Sequence, residues 1–377
     1  MKTKMILGAL ALAALAGTAQ AQFRVIFTDN TFGGGASNAI RSYDSVSNTV
    51  TTHATFGASA RLADIKPVPG GFAFGDGPFP LQTPSTGGIY TVNNLFSNSP
   101  TINTVVSSNP FWGPIGMQYD SRSGRLLTVN NAAGGVSAEI DDADGLYTVN
   151  LGNGANTKVV DEINRPPLFA GTPRYQGGNY ITADPQGSGD FFVVATTGGR
   201  FIQGGGPPPP PANQDVSSII YRVSVSADGL TATTTELIDT FNINLRFPFE
   251  GDPNNLLPIT DVRGITNIPG TDSLFVTDQL TDSIWRIDLD AGGAYSNITQ
   301  IVTGLTNPEA IEYNPFNNTL VFAQGGNADL LSQVNLDGTG LTTLASGVAV
   351  RGITIIPAPS ALALLGLGGL AVARRRR

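Results

Sequence analysis

The chain of 377 residues has no cysteine, one histidine and three methionines. Without thiols there is no disulfide, no Cys metal site and no thiolate nucleophile, so packing alone must stabilise the fold. His53 is the only histidine and lies in Thr51-Thr-His-Ala-Thr55, a segment that reads as an outer strand. A His-based metal centre is excluded for want of ligands, and a Ser-His-Asp triad has no base in a suitable place. Charge is scarce too, at 13 % of residues. Acidic residues outnumber basic ones 29 to 21, and Lys2, Lys4, Arg374, Arg375, Arg376 and Arg377 all sit at the two ends. The body between them is strongly acidic, which argues against nucleic acid and anionic lipid as partners.

What is plentiful is glycine, at 46, and proline, at 25. With so few charges, that composition points to many short strands joined by turns rather than to helices. The ends are different. Lys2 and Lys4 precede the apolar run Met5 to Ala16, and Ala19-Gln20-Ala21 is a small-x-small cleavage site. Residues 1–21 therefore read as a signal peptide, with signal peptidase leaving Gln22 as the first mature residue and the body exported.

At the other end Pro357-Ala358-Pro359-Ser360 leads into an apolar run from Ala361 to Ala373, then Arg374 to Arg377. As a helix, Ser360 to Ala373 would be about 21 Å long at ~1.5 Å per residue, short against a hydrocarbon core of ~30 Å. The arginines would stay cytoplasmic and leave the body outside. This three-part tail resembles the PEP-CTERM sorting signal, with Pro-Ala-Pro where that signal has Pro-Glu-Pro. The resemblance implies an exosortase-type enzyme as partner, in a bacterium that makes extracellular polysaccharide. It also implies a destination in the cell envelope, at the surface or in the extracellular matrix. The expected plan is signal peptide 1–21, body 22–356 and sorting tail 357–377, with membrane contact through the tail only.

The body repeats. Val262-Arg-Gly-Ile-Thr-Asn-Ile-Pro269 and Val350-Arg-Gly-Ile-Thr-Ile-Ile-Pro357 match at seven of eight positions. An Ile followed four residues later by a turn recurs at Ile65/Pro69, Ile115/Tyr119, Ile181/Pro185 and Ile311/Pro315. Each turn leads to an apolar strand such as Ser273-Leu-Phe-Val-Thr277, then a further strand such as Ile284-Trp-Arg-Ile287, then a polar one such as Thr299 to Val302. Four strands per unit and six units read as an all-β, six-bladed β-propeller. The sixth copy has no strand after it, and Phe23 to Asp29 is a second-type strand with none before it. Pairing the two closes the ring. Asn307-Pro-Glu-Ala-Ile-Glu-Tyr-Asn-Pro315, Val276-Thr-Asp278 and Asn335-Leu-Asp-Gly338 also resemble the YWTD/NHL class of six-bladed propellers.

Connections between second and third strands, and between fourth and first, share one face of such a ring. The long segments fall there, and long loops persist where they have work to do. They carry Phe79, Trp112 and Tyr175 beside carboxylates, a combination suited to stacking and hydrogen bonding with a sugar, and equally to packing on the rim. Asp141, Asp142 and Asp144 before Gly145 offer oxygen ligands for Ca²⁺, the one cofactor the sequence suggests, or form an ordinary Asp-Gly turn. Two residues before each marker Ile, the channel should be lined by Ala63, Gly113, Asn179, Arg263, Glu309 and Arg351. An Arg263-Glu309-Arg351 ion-pair network is expected there. The leading expectation is a non-enzymatic surface or matrix module that binds exopolysaccharide or a surface protein. The alternatives are a Ca²⁺-dependent, lactonase-like hydrolase using carboxylates at the channel, and a purely structural matrix protein.

Overall fold

The computed structural model describes residues 22–30, 38–57, 60, 62–76, 87–107, 114–130, 145–161, 176–197, 217–239, 259, 261–325 and 328–358. The signal peptide, the tail from Pro359 onward, and Phe79, Trp112, Asp141, Asp142, Asp144 and Tyr175 lie outside these residues.

The chain begins with β1 (Phe23–Asp29), β2 (Ala39–Asp44) and β3 (Thr49–Thr55). Blade 2 follows as β4 (Leu62–Val68), β5 (Gly71–Asp76), β6 (Gly88–Asn93) and β7 (Thr101–Val106). Blade 3 is β8 (Pro114–Asp120), β9 (Arg125–Asn130), β10 (Gly145–Val149) and β11 (Asn156–Asp161). Blade 4 is β12 (Gln176–Ala183), β13 (Phe191–Thr197), β14 (Ser217–Val225) and β15 (Ala232–Asp239). Blade 5 is β16 (Val262–Asn267), β17 (Ser273–Asp278), β18 (Ser283–Leu289) and β19 (Tyr295–Val302). Blade 6 is β20 (Pro308–Asn314), β21 (Thr319–Gln324), β22 (Leu330–Asn335) and β23 (Thr342–Ser346). The last strand, β24 (Val350–Pro357), joins the first three in the order β24-β1-β2-β3 and completes blade 1. The protein is an all-β, six-bladed propeller of four-stranded antiparallel blades, and among the described residues there is no helix.

The first strands touch one another in the cyclic order β24, β4, β8, β12, β16, β20 and back to β24, so they line the axis. The second strands are near-continuous buried runs, apolar on both faces, so each packs against the blades on either side. Phe27, Phe74, Phe192, Phe275 and Phe322, one from the second strand of each of blades 1, 2, 4, 5 and 6, are the bulkiest fully buried side chains. Burial of each stabilises the ring by roughly 2–3 kcal/mol. Fourth strands face solvent, and their Thr- and Asn-rich sequences suit that position.

Neighbouring blades are tied by backbone-directed hydroxyls. Thr28 donates to the Ala63 carbonyl of blade 2, and Thr277 donates to the Glu309 carbonyl of blade 6 at 2.6 Å. The following aspartates cap their own blades. Asp29 accepts from the Ala349 N–H at 2.9 Å, and Asp278 accepts from the Asp261 N–H at 3.1 Å. The Thr-Asp pair is thus a staple between blades plus a cap. The two matching octapeptides carry glycine for a related reason. A Cβ on Gly264 would lie 2.4 Å from the Glu309 carbonyl oxygen, and one on Gly352 would lie 2.4 Å from the Asp64 Cα. Only glycine lets adjacent inner strands come so close.

The turns leaving first and third strands are short and share one face. The opposite face receives the connections 77–87, 107–113, 131–144, 162–175, 198–216 and 240–261 from blades 2 to 4, and 30–38 and 56–61 from blade 1. Blades 5 and 6 contribute only 279–282, 303–307, 325–329 and 347–349 there. β24 runs to Pro357, paired with Phe23, and the Ala358 N–H donates to the Gln22 carbonyl at 3.1 Å. The chain therefore enters and leaves the ring on the short-turn face.

Candidate functional site

Every inner strand carries a register irregularity near the end that faces the long connections. It falls between Leu62 and Ile65, Pro114 and Gly116, Gly178 and Tyr180, Val262 and Gly264, and Pro308 and Ile311, and against β24 between Thr28 and Asp29. A bulge re-aims the side chains around it, and here it does so six times around one axis. Arg263 and Arg351 are the residues set off by the bulge in their strands, with Glu309 between them on β20.

In blade 3 the expected frame is displaced. The bulge puts Met117, not Ile115, in line with Ile65, Ile181, Ile265, Ile311 and Ile353, so Ile115 takes the position of Arg263 and Arg351. Gly113 falls outside the described residues. The isoleucine was a false marker because the true core position holds methionine, fully buried.

Two ion pairs stand at this part of the axis. Arg351 pairs with Glu309, whereas Arg263 pairs with Asp261 at 2.7 Å. Arg263 is 13 % exposed beside a fully buried Asp261, and Arg351 is 27 % exposed beside a Glu309 that is 13 % exposed, so two arginines in nearly identical local sequences sit in unlike surroundings. Gly325 lies against the Glu309 carboxylate, where a Cβ would come within 2.8 Å of Oε1.

Tyr180 completes this cluster, and sequence reasoning missed it in favour of its neighbour Asn179. It stands on β12 of blade 4, yet its hydroxyl donates to the Arg351 carbonyl of blade 1 at 2.7 Å. Blades 4 and 1 are opposite one another, so Tyr180 spans the axis and obstructs the channel. Burial, with the charges of Glu309 and Asp64, pushes its pKa up against the opposing pull of Arg351 and Arg263, and the hydroxyl stays protonated. A tyrosine among glycine- and alanine-bearing strands was the available signal.

Beside it runs a second polar chain. The Asp64 carboxylate accepts N–H bonds from Ile65 and Met117, each at 2.9 Å, joining blade 2 to blade 3. Lys66 lies 4.0 Å from Asp64, pairs with Glu312 of blade 6 and donates to the Ile353 carbonyl of blade 1 at 3.3 Å. Burial drives the Asp64 pKa up to about 6, with Lys66 and the two N–H donors opposing and Glu312 adding to the rise. Burial works against the Lys66 ammonium, but Asp64 and Glu312 outweigh it and hold its pKa above the ordinary lysine value.

The charges of the cluster are paired with one another: Arg263 with Asp261, Arg351 with Glu309 and Lys66 with Glu312. Among the described residues no group of three or more His, Asp or Glu side chains is placed to hold a metal ion. His53 sits on outer strand β3, bonded to Ser42 at 2.8 Å and edge-on to Phe96 at 5.1 Å. It belongs to the blade surface.

No family model and no curated protein matches the chain. Solved structures do. A chain from a crystal structure of a nidogen/laminin complex aligns with a TM-score of 0.53 at 12 % identity, covering 88 % of this chain and 98 % of that one. The calcium-binding protein regucalcin from Agrobacterium tumefaciens strain C58 aligns with a TM-score of 0.46 at 14 % identity, covering 75 % of this chain and 73 % of that one. The likeness is one of fold.

Two predictions follow from the cluster. Arg263→Met should destabilise the protein by about 3 kcal/mol, because it strands a buried carboxylate, whereas Arg351→Met should cost about 1 kcal/mol. Equal shifts in urea midpoint for the two variants would contradict the pairing. The second concerns pH. Asp64 has a raised folded pKa, so its contribution is fully present below its unfolded value near 3.8 and is lost as pH rises through about 6. Asp64→Asn gives up one accepted N–H bond at every pH but should remove that loss, on the order of 3 kcal/mol. Measured from pH 3.5 to 7.5, the unfolding free energy of the wild type should begin above that of the variant and fall below it as pH rises, since the loss exceeds the ~1 kcal/mol of one hydrogen bond. Parallel curves would show that Asp64 does not titrate in this window.

Proposed function

We propose that this protein is an exported propeller, held at the cell surface or in extracellular polysaccharide by its C-terminal tail, that binds a glycan through its long-connection face. The observation that carries this reading is the polarity of the ring. The long connections all open on one face, and both chain ends meet on the other at Gln22 and Ala358. A tail that holds one face at the envelope leaves the other, with its aromatic-bearing connections, directed outward.

A binding role is favoured over hydrolysis by the state of the carboxylates at the axis. Glu309 and Asp261 are each held by an arginine, and Asp64 by two backbone N–H groups. A general base or metal ligand needs a carboxylate with free lone pairs turned toward substrate. These are turned toward their neighbours. Trp112, in the connection between β7 and β8, is the chosen anchor, since an indole face stacks on a sugar ring.

Binding of the host's own extracellular polysaccharide should fall at least tenfold in Trp112→Ala, with the urea midpoint unchanged. Undiminished binding would remove Trp112 from the site, and no binding by either protein would overturn the glycan reading.

The ends provide a separate test. Pro357 lies in the closing strand and Ala358 is fully buried, so cleavage before Ala358 would unpick the ring. Mass spectrometry of protein from native cells and matrix should find a start at Gln22 and an end at Ala358 or later, without the arginines. An intact Arg377 in the membrane fraction would replace processing with a plain anchor.

A further inference from the structure

The hairpin between β10 and β11 holds Asn153-Gly154, the only Asn-Gly step in the chain. Asn153 is exposed, and its Oδ1 accepts the Ala155 N–H at 3.0 Å. That bond folds the carboxamide back around the intervening Gly154. Gly154 has a φ of +73° and no side chain to shield its nitrogen. One contact opposes attack by that nitrogen, since its N–H donates to the Asn150 carbonyl at 2.9 Å.

The same turn clasps blade 3 to blade 2. Leu151 packs against the buried cluster that also receives Val105 and Val106 of β7. Gly154 lies against the Val105 carbonyl, whose oxygen a Cβ would approach within 2.4 Å. The backbone of the turn is closed by the Asn150 N–H donating to the Ala155 carbonyl at 2.8 Å. Gly154 is therefore fixed from both sides, by its own hairpin and by the next blade, and its place depends on the length of chain that precedes it.

We infer that Asn153 is a self-modification site, which converts through a succinimide to isoaspartate and thereby opens the clasp between blades 2 and 3. Water or hydroxide takes the Gly154 amide proton, and the nitrogen attacks the Asn153 Cγ. The N–Cγ bond forms, the Cγ–Nδ2 bond breaks, and Nδ2 leaves as ammonia. Nothing is oxidised or reduced. Closure of a small ring within one chain needs no encounter of separate molecules. The Ala155 N–H already lies on Oδ1, where negative charge develops during attack. The bond to Asn150 must open first, so the reaction draws on local opening of the turn. Water then splits the ring on one side to aspartate or on the other to isoaspartate. Isoaspartate carries its Cβ in the backbone, one carbon longer ahead of Gly154, and the seat against Val105 has no room for that change.

The test is to age the folded full chain in mildly alkaline buffer and map it by mass spectrometry, with fragmentation that separates aspartate from isoaspartate. Asn153 should gain ~1 Da as its amide becomes an acid. It should do so on the order of tenfold faster than Asn150 and Asn156 of the same turn. An Asn153 that keeps its amide in the folded chain, while urea-unfolded chain converts, overturns the site. Hydrogen exchange reads the clasp. Amides of Thr101–Val106 and Leu151–Asn156 should exchange faster as isoaspartate accumulates. Freshly made Asn153→Asp adds the charge without the extra backbone carbon and should exchange as the unaged protein does. Aged Asn153→Gln, which would have to close a larger ring, should stay unconverted and keep slow exchange. Equal exchange before and after conversion overturns the opening of the clasp. Equal acceleration in fresh Asn153→Asp or in aged Asn153→Gln overturns it too, by assigning the effect to charge or to another residue.

Discussion

An antiparallel seam between Phe23–Asp29 and Val350–Pro357 converts five complete blades and two fragments into a ring. Every other feature presupposes it. The inner strands can approach within glycine distance at Gly264 and Gly352 only because a closed ring leaves each one a neighbour on both sides. The staples run across the seam as well. Thr28 reaches from β1 to the backbone of β4 and also accepts the Gly352 N–H at 2.8 Å, so one hydroxyl ties three strands of two blades. Six separate four-stranded sheets packed around one axis leave only short, protected edges, which is what radial repetition achieves for an all-β chain without disulfides.

The axis shows how a repeated backbone carries unrepeated chemistry. The same bulge recurs six times, yet the residues it presents are Arg, Arg, Asn, Ile and the Ala-Asp and Glu-Ala pairs of β4 and β20. Arg263 and Arg351 illustrate the consequence. Their flanking residues are almost identical, but Arg263 finds a buried carboxylate two residues back, just ahead of its own strand, and Arg351 finds one on the next blade. Local sequence sets the direction of each side chain, and the neighbouring blade decides what it meets. Tyr180 then crosses the axis and fixes opposite blades to one another, which makes the channel a braced interior rather than a pore.

Much of this was legible beforehand. The twin octapeptides, the Thr-Asp pairs and the unpartnered first strand carry the blade count, the strand order and the closure, because each reports a backbone requirement that recurs with every blade. Side chains that act once carry no such signal. Met117 hides the true frame of blade 3 behind Ile115, since one methionine fills the core position that isoleucine fills elsewhere. Tyr180 and Asp64 occupy positions that hold glycine or alanine in most other blades, and their partners lie on strands distant in sequence. Pairings of that kind depend on how the ring closes, which periodicity alone does not encode. The proposed glycan and calcium residues on the long connections rest on residue type and face.

The overlap of the closing strand with the tail has a consequence for the order of events. Contacts across the seam join residues more than 300 positions apart, as between Asp29 and Ala349 or Thr28 and Gly352. Pairings so distant in sequence form late, because the entropy of closing the chain is met only when the intervening blades are already in place. Until then Pro357 lacks its partner on β1 and Ala358 lacks the contacts that bury it. Afterwards Pro357 is paired with Phe23, and Ala358 is buried with its N–H on Gln22. On the reading proposed for the tail, a sorting enzyme therefore meets two different substrates before and after closure. An enzyme that needs the Pro motif in extended form must act while the ring is open. One that acts on the closed ring finds Pro357 paired and Ala358 buried. On that reading the closing strand and the sorting motif overlap at Pro357 and Ala358, so processing and ring closure compete for the same residues.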